Sequence, residues 1–197
     1  MSLGTINQSL RESLKHHEII PDVIDDFTPT ALLSVEYPAS NVQVSLGNTI
    51  SPSDAQEVPK IRITPDEHDD AVFTVVMTDP DAPSREDPKW SEFCHWIVTG
   101  LKPDTASASD PSTPRSVDTS KGHELIGYMG PAPPPKTGKH RYVILLYKDG
   151  NTTKMKGPPE RKKWGNHDYR RGARQWAEKY DLKLVGANFF FAQNKSQ

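Results

Sequence analysis

Residues 71–90, AVFTVVMTDPDAPSREDPKW, open with an apolar run that shows no polar alternation and close on two aspartates interleaved with two prolines. Val, Phe and Thr at this density, without a period of two, predict a strand covered on both faces, a strand from the middle of a sheet. It is read to end at Asp79. Asp79 precedes Pro80 and Ala82 precedes Pro83, and each ring clashes with the residue before it, which pushes both toward extended geometry. A turn so restricted either caps itself, with Asp side chains on nearby backbone N–H groups, or holds Asp79 and Asp81 ready for a ligand.

Working outward, SEFCHWIVTG (91–100) and HRYVILLYK (140–148) read as the next long strands. A two-residue period puts Phe93, His95 and Ile97 on one face of the first, with Cys94, Trp96 and Val98 opposite. In the second, His140, Tyr142, Ile144 and Leu146 share a face, with Arg141, Val143, Leu145 and Tyr147 behind. ALLSVEY (31–37), VQVSLGNTI (42–50), IRITP (61–65) and LKLVGANFFFAQ (182–193) supply further strands, with Gly47-Asn48 as a turn that tolerates positive φ. Thr5 and Gln8 form a capping box for a helix through INQSLRESLKHH (6–17), which is read to end before Pro21. Ile19, Ile20, Val23, Ile24 and Phe27 then tether this N-terminal segment, residues 1–26, to the body. Late in the chain, DYRRGARQWAEKY (168–180) predicts a helix capped by Asp168, with Tyr169, Ala173, Trp176 and Tyr180 on its inner stripe. Residues 102–124 are polar and proline-bearing and are expected to form a mobile surface loop.

The chain of 197 residues is long enough for a substantial core and short enough for one domain spanning 1–197. Its 18 prolines against 12 glycines favour short elements with rigid connections, a mainly β fold. A formal net charge of −2 argues against electrostatically driven nucleic-acid or membrane binding. KMKGPPERKKWGNHDYRRGARQWAEK (154–179) is basic and carries two tryptophans, yet a solvated basic face accounts for it and no nucleic-acid partner is expected. Cys94 is the only cysteine, which excludes an internal disulfide and fits a reducing compartment such as the cytosol. MSLGTINQSL has no basic region followed by an apolar run, so no targeting segment is read there.

Several chemistries fail on spacing. As a calcium loop the DPDAPS turn places Pro83 at a ligand position and Ser84 where glycine is required. Zinc lacks HExxH or paired cysteines, a serine hydrolase lacks GxSxG, and the phosphate-loop patterns are absent. No metal, cofactor or catalytic residue is assigned, and the chain is read as non-enzymatic. GPAPPPKTGKHRY (130–142) is the second rigid stretch. Pro131, Pro133, Pro134 and Pro135 impose polyproline-like geometry, either as an exposed linker or as a wall leading into His140.

Together, TDPDAPSREDPKW (78–90), EFCHWIV (92–98) and GPAPPPKTGKHRYVILLY (130–147) resemble the two signature regions of the phosphatidylethanolamine-binding proteins. The resemblance implies an antiparallel β-sandwich, with a large central sheet, a smaller sheet, flanking helices, and a small surface pocket for anions between the signatures. Carried over residue by residue, it makes Asp79 the acid of that pocket, His95 and His140 its histidines, and Pro133 and Pro134 its wall. Trp90, Phe93 and Tyr142 become its aromatic lining, and Gly130 and Ala132 the small residues that let an anion approach. Cys94 departs from the family's animal members, which often carry a histidine there. No C-terminal helix follows residue 193, so a more open rim is expected.

A stiff turn can hold Asp79 against His95 or His140, and a charged imidazole donates to phosphate or acetate. At about 1.5–3 kcal/mol per charge-assisted bond, less desolvation, two or three predict micromolar-to-millimolar affinity for a phospholipid headgroup or other small anion. The N-terminal helix, HHEIIPDVIDDFTP and the insertion at 102–124 resemble the family's fungal inhibitors of serine carboxypeptidases of the carboxypeptidase Y type. That resemblance implies a carboxypeptidase partner engaged by the N-terminal segment. The competing implication is a signalling adaptor for kinases or small GTPase regulators, with no peptidase inhibition. A cytoplasmic location is expected, with a vacuolar or membrane-associated one as the alternative.

Overall fold

Two sheets stacked face to face carry the fold. The structure, a computed structural model, describes residues 3–65, 71–105, 112–149, 154–167 and 171–197. With strands numbered along the chain, the smaller sheet runs in the order β2 (Val42–Gln43), β1 (Ala31–Tyr37), β4 (Lys60–Pro65), β7 (Arg115–Val117). The larger runs β3 (Asn48–Thr49), β10 (Lys183–Ala192), β9 (His140–Lys148), β5 (Phe73–Asp79), β6 (Phe93–Leu101), β8 (His123–Ile126). The described pairings are antiparallel apart from β3, which runs parallel to β10. As its unalternating sequence requires, β5 is buried at every residue, with β6 on one side and β9 on the other.

Each face of the large sheet buries a separate apolar cluster. Between the sheets, Val35 and Ile63 of the small one meet Val75, Met77, Tyr142, Ile144 and Phe190 of the large one. On the outer face, Val143, Leu145 and Phe189 pack under three helical elements: α1 (Leu3–His16), the single turn α2 (Ile19–Asp22) and α3 (Ala173–Lys179). Leu10, Leu14, Ile19, Val23 and Ile24 are buried there and Ile20 and Phe27 partly so, which seats the N-terminal segment as its apolar pattern predicts. Buried Asn188 ties the two sheets, donating to the carbonyls of Leu33 (3.0 Å) and Val44 (3.3 Å) and accepting from the N–H of Leu46 (3.1 Å).

Several boundaries differ from the sequence reading. α1 begins at Leu3, so Thr5 lies inside its first turn rather than ahead of it, and Pro21 sits within α2 rather than after a single longer helix. Residues 42–50 do not make one strand. β2 pairs with β1 in the small sheet and β3 with β10 in the large one, and the crossing uses Leu46 at φ 43° and Gly47 at φ 103°. A Cβ on Gly47 would also stand 2.9 Å from the Phe189 ring, so the crossing needs glycine twice over. Of the expected loop at 102–124, residues 106–111 lie outside the described residues. The rest is largely ordered, because Arg115–Val117 finds β4 as a partner and His123 opens β8 against β6. The cap of α3 is Gly172; Asp168 and Tyr169 lie outside the described residues.

Candidate functional site

The C-terminal end of β5 and the N-terminal ends of β6 and β9 lie side by side, which brings Asp79, Phe93 and His140 to one end of the large sheet. A cavity of about 150 Å³ opens there, lined by Asp79, Trp90, Phe93, His95, Ala132, Pro134, His140 and Tyr142, as expected, and also by Ala82, Pro83 and Met129. Gly130 and Pro133 do not line it. A Cβ at Gly130 would stand 2.7 Å from the Ala55 carbonyl oxygen, so its smallness serves packing against residues 55–56 and not ligand access. Pro133 is buried and its carbonyl accepts from Asn194 Nδ2 at 3.1 Å. The same loop is held by the C-terminal tail a second and third time, through Lys136 N–H to the Ser196 carbonyl (2.8 Å) and Gly138 N–H to Gln197 Oε1 (3.0 Å).

The strand-face assignment holds for β9 and breaks in β6. Tyr142, Ile144 and Leu146 face the inter-sheet cluster and Val143, Leu145 and Tyr147 the outer one. In β6, Met77 opposes Trp96 while Thr78 opposes Cys94, so His95 is an extra residue bulged out of the ladder. Beyond it the parity reverses: Trp96 and Val98 face inward, and Ile97 joins Cys94 on the outer face. The bulge is pinned from outside by Arg161, whose guanidinium donates to the carbonyls of Cys94 (3.1 Å), His95 (3.0 Å) and Gly127 (2.8 Å). It turns the His95 ring beside Phe93 (centroids 5.0 Å apart) and edge-on to Tyr142 (5.2 Å).

The two histidines are not equivalent. His140 lies 2.9 Å from Asp79 Oδ2 through Nδ1, and its Nε2 is 2.9 Å from the Thr137 hydroxyl, which reaches the Pro134 carbonyl at 2.8 Å. Both of its ring nitrogens are thus used inside the protein. His95 gives Nδ1 to the Met129 carbonyl at 2.7 Å, which leaves Nε2 as the imidazole nitrogen of the cavity open to a ligand. Burial pushes His95 below its ordinary pKa, against the opposing pull of Asp79 and the Met129 carbonyl. The expectation of two imidazoles cradling an anion is therefore corrected to one free ring nitrogen beside an Asp79–His140 pair bonded to each other. Lys162 supplies a further positive charge at the rim, with Nζ 4.1 Å from the centroid of the Trp90 ring.

Asp81 takes no part in the cavity. Its N–H donates to Asp79 Oδ1 at 2.7 Å, and its own carboxylate is turned away to the Arg141 guanidinium, at 2.9 Å from Nε and 2.8 Å from Nη2. The sequence singled out both aspartates of the turn, and the structure sends them to different neighbours: Asp79 to the cavity, Asp81 to the face that carries the N-terminal segment.

Comparison with known proteins finds relatives that match the chain over most of its length. A family model described as phosphatidylethanolamine-binding protein matches residues 26–190. The carboxypeptidase Y inhibitor of Saccharomyces cerevisiae is 38% identical over 213 aligned positions, covering 95% of this chain and 96% of that protein. Among solved structures, carboxypeptidase Y inhibitor complexed with its cognate proteinase superposes with a TM-score of 0.85 at 39% identity, covering 96% of this chain and 97% of that one. A phosphatidylethanolamine-binding protein from Plasmodium vivax follows at TM-score 0.74 and 27% identity, covering 93% of this chain and 97% of that one.

Proposed function

The chain belongs to the phosphatidylethanolamine-binding protein family, and from that membership we propose that it inhibits a serine carboxypeptidase of the carboxypeptidase Y type. The observation that carries this reading is the reach of the match to the yeast inhibitor. At 95% of the chain it extends beyond the span 26–190 of the family model and into the N-terminal segment. A segment used for docking must be presented in a fixed pose, and burial of Leu10, Leu14 and Ile19 against the large sheet supplies one.

The test is hydrolysis of a blocked peptide by carboxypeptidase Y with increasing amounts of the full chain. Near-stoichiometric loss of activity is expected, and an undiminished rate at large excess overturns the reading. A chain lacking residues 1–9 retains Leu10 and Leu14 and so keeps its buried anchor. It is expected to unfold cooperatively yet inhibit poorly, whereas full inhibition by it moves the contact elsewhere on the molecule.

We propose further that the cavity at the end of β5, β6 and β9 accepts a small anion such as a phospholipid phosphate. The open Nε2 of His95 supports this reading, as does the size of the cavity, which suits a headgroup and not an acyl chain. Non-covalent binding, with no bond made or broken, is all that this set of side chains is asked to do.

A further inference from the structure

Arg141 is 0% exposed, and every polar hydrogen-bonding atom of its side chain is engaged. On one side lies Asp81 of the turn. On the other, Nη1 donates to the carbonyls of His17 (3.0 Å) and Glu18 (3.1 Å), and Nη2 to Asp22 Oδ2 (3.0 Å), all three in the N-terminal segment. Glu18 adopts φ 56°, which turns the chain so that two successive carbonyls meet one guanidinium nitrogen. The same turn reaches the same segment once more, at the surface, through Arg85 Nη2 and Glu18 Oε2 at 2.7 Å.

His140 and Arg141 are neighbours on β9, as Asp79 and Asp81 are across Pro80, so a carboxylate–imidazole pair and a carboxylate–guanidinium pair stand side by side in one rigid unit. One faces the cavity and the other holds the N-terminal segment. We propose that Arg141 is the positioning residue for the N-terminal segment and that, through Asp81, it links occupancy of the cavity to docking of residues 17–22.

An anion seated against the His140 ring favours the charged imidazole and with it the Asp79 bond. That fixes the Asp79–Pro80–Asp81 turn, whose prolines leave little slack to absorb the change. A segment docking onto an already fixed Asp81–Arg141 pair loses less conformational freedom, so the two events help each other without a large movement. The help is reciprocal: whatever factor the anion adds to segment docking, segment docking adds to anion affinity. A coupling at the lower end of the usual range is about five-fold. The consequence for a carboxypeptidase, tighter inhibition when the cavity is filled, rests on the inhibitory reading above; the linkage itself does not.

The experiment uses inorganic phosphate as probe and Asp22→Asn as perturbation, because loss of the Asp22 charge loosens the clasp without stripping Arg141 of Asp81. Phosphate affinity is read from the Trp90 indole shift by NMR, and docking of the segment from hydrogen exchange of amides 17–24. Saturating phosphate is expected to slow that exchange about five-fold, and D22N to weaken phosphate by up to the same factor. Arg62→Gln, which breaks a half-exposed pair on the small sheet, is expected to change neither. Arg85→Gln removes the outer strap and is read in the same way, so a D22N chain that fails to fold does not end the test. Phosphate that leaves the exchange of 17–24 unaltered, perturbed variants with unaltered phosphate affinity, or no phosphate binding at all would each overturn the proposal. Parallel carboxypeptidase assays separate the two ideas: a wild-type chain that does not inhibit but shows reciprocal factors removes the inhibitory reading and leaves the linkage standing.

Discussion

Asp81 and Arg141, 60 residues apart in the sequence, form a two-pronged ion pair with both residues at 0% exposure. A pair this deeply buried adds little over apolar side chains of the same size, yet removing Asp81 leaves the buried guanidinium with only the partly buried Asp22 as counter-ion, at a cost of up to about 3–5 kcal/mol. Asp81→Asn is therefore expected to cost a large part of the whole stability, and urea unfolding measures it. Arg62→Gln, which opens the half-exposed Arg62–Glu36 bridge at 3.1 Å, should cost no more than about 1 kcal/mol. Equal losses in the two variants would mean that water reaches Arg141.

Glu92 presents the opposite case, a buried carboxyl without a cation in hydrogen-bonding contact. Its Oε1 accepts from the Thr78 hydroxyl (3.0 Å) and the Ala173 N–H (3.1 Å), while Oε2 has no partner among the described residues. Burial pushes its pKa up to about 7. A folded-state pKa raised above the unfolded value gives stability that is fully present below the unfolded carboxylate range and lost as pH rises through about 7. Glu92→Gln keeps an acceptor for Thr78 and Ala173 without the charge. It should match the wild type only below the unfolded carboxylate range, gain on it as pH rises toward about 7, and exceed it by up to about 3 kcal/mol above neutrality. Thermal unfolding at several pH values would show this, and parallel profiles for the two proteins would contradict it.

The outer apolar cluster sets the hold on the N-terminal segment. Leu14 is 0% exposed between α1 and the large sheet, so Leu14→Ala leaves a cavity and should cost about 2–5 kcal/mol in denaturant unfolding. A loss below about 1 kcal/mol would show that the segment lifts off before the body unfolds.

What the sequence made legible follows from range. β5 and β9 were readable because burial on both faces leaves a local mark, apolar residues without alternation, and Asp79, His95, His140 and Tyr142 followed once the paired motifs were matched to a family. The bulge at His95 left no such mark: one extra residue reverses the parity of Trp96 and Ile97 with no change in composition. β7 is three residues of a polar stretch and exists because β4 offers an edge, a tertiary effect that outweighs local preference. The partner of Asp81, and Met129 altogether, were missed for a related reason. Asp81 finds its partner 60 residues away, and Met129 enters the site through a carbonyl that any residue could supply. Gly130 was rightly marked as a position needing a small residue, but the neighbour that demands it is Ala55, far off in the chain.

The single open imidazole nitrogen fixes the pH response expected of the cavity. With Nδ1–H committed to the Met129 carbonyl, neutral His95 presents Nε2 as an acceptor, which suits no fully ionised anion; only the imidazolium donates. Because burial lowers the His95 pKa, that form appears below the ordinary histidine range and not within it. Sulfate is the right probe, since it stays doubly charged across the window where phosphate takes up a proton. Its affinity should rise as pH falls, with most of the gain below the ordinary histidine range, and His95→Gln should flatten the profile. His140→Gln breaks the Asp79 pair instead, leaving a carboxylate in the cavity with no compensating cation, so it should weaken sulfate at every pH. NMR titration in the three proteins distinguishes these outcomes. A wild-type profile that is already flat between pH 5 and 8, or one that survives His95→Gln, would assign anion recognition to the rim cations such as Lys162 and leave His95 a structural residue.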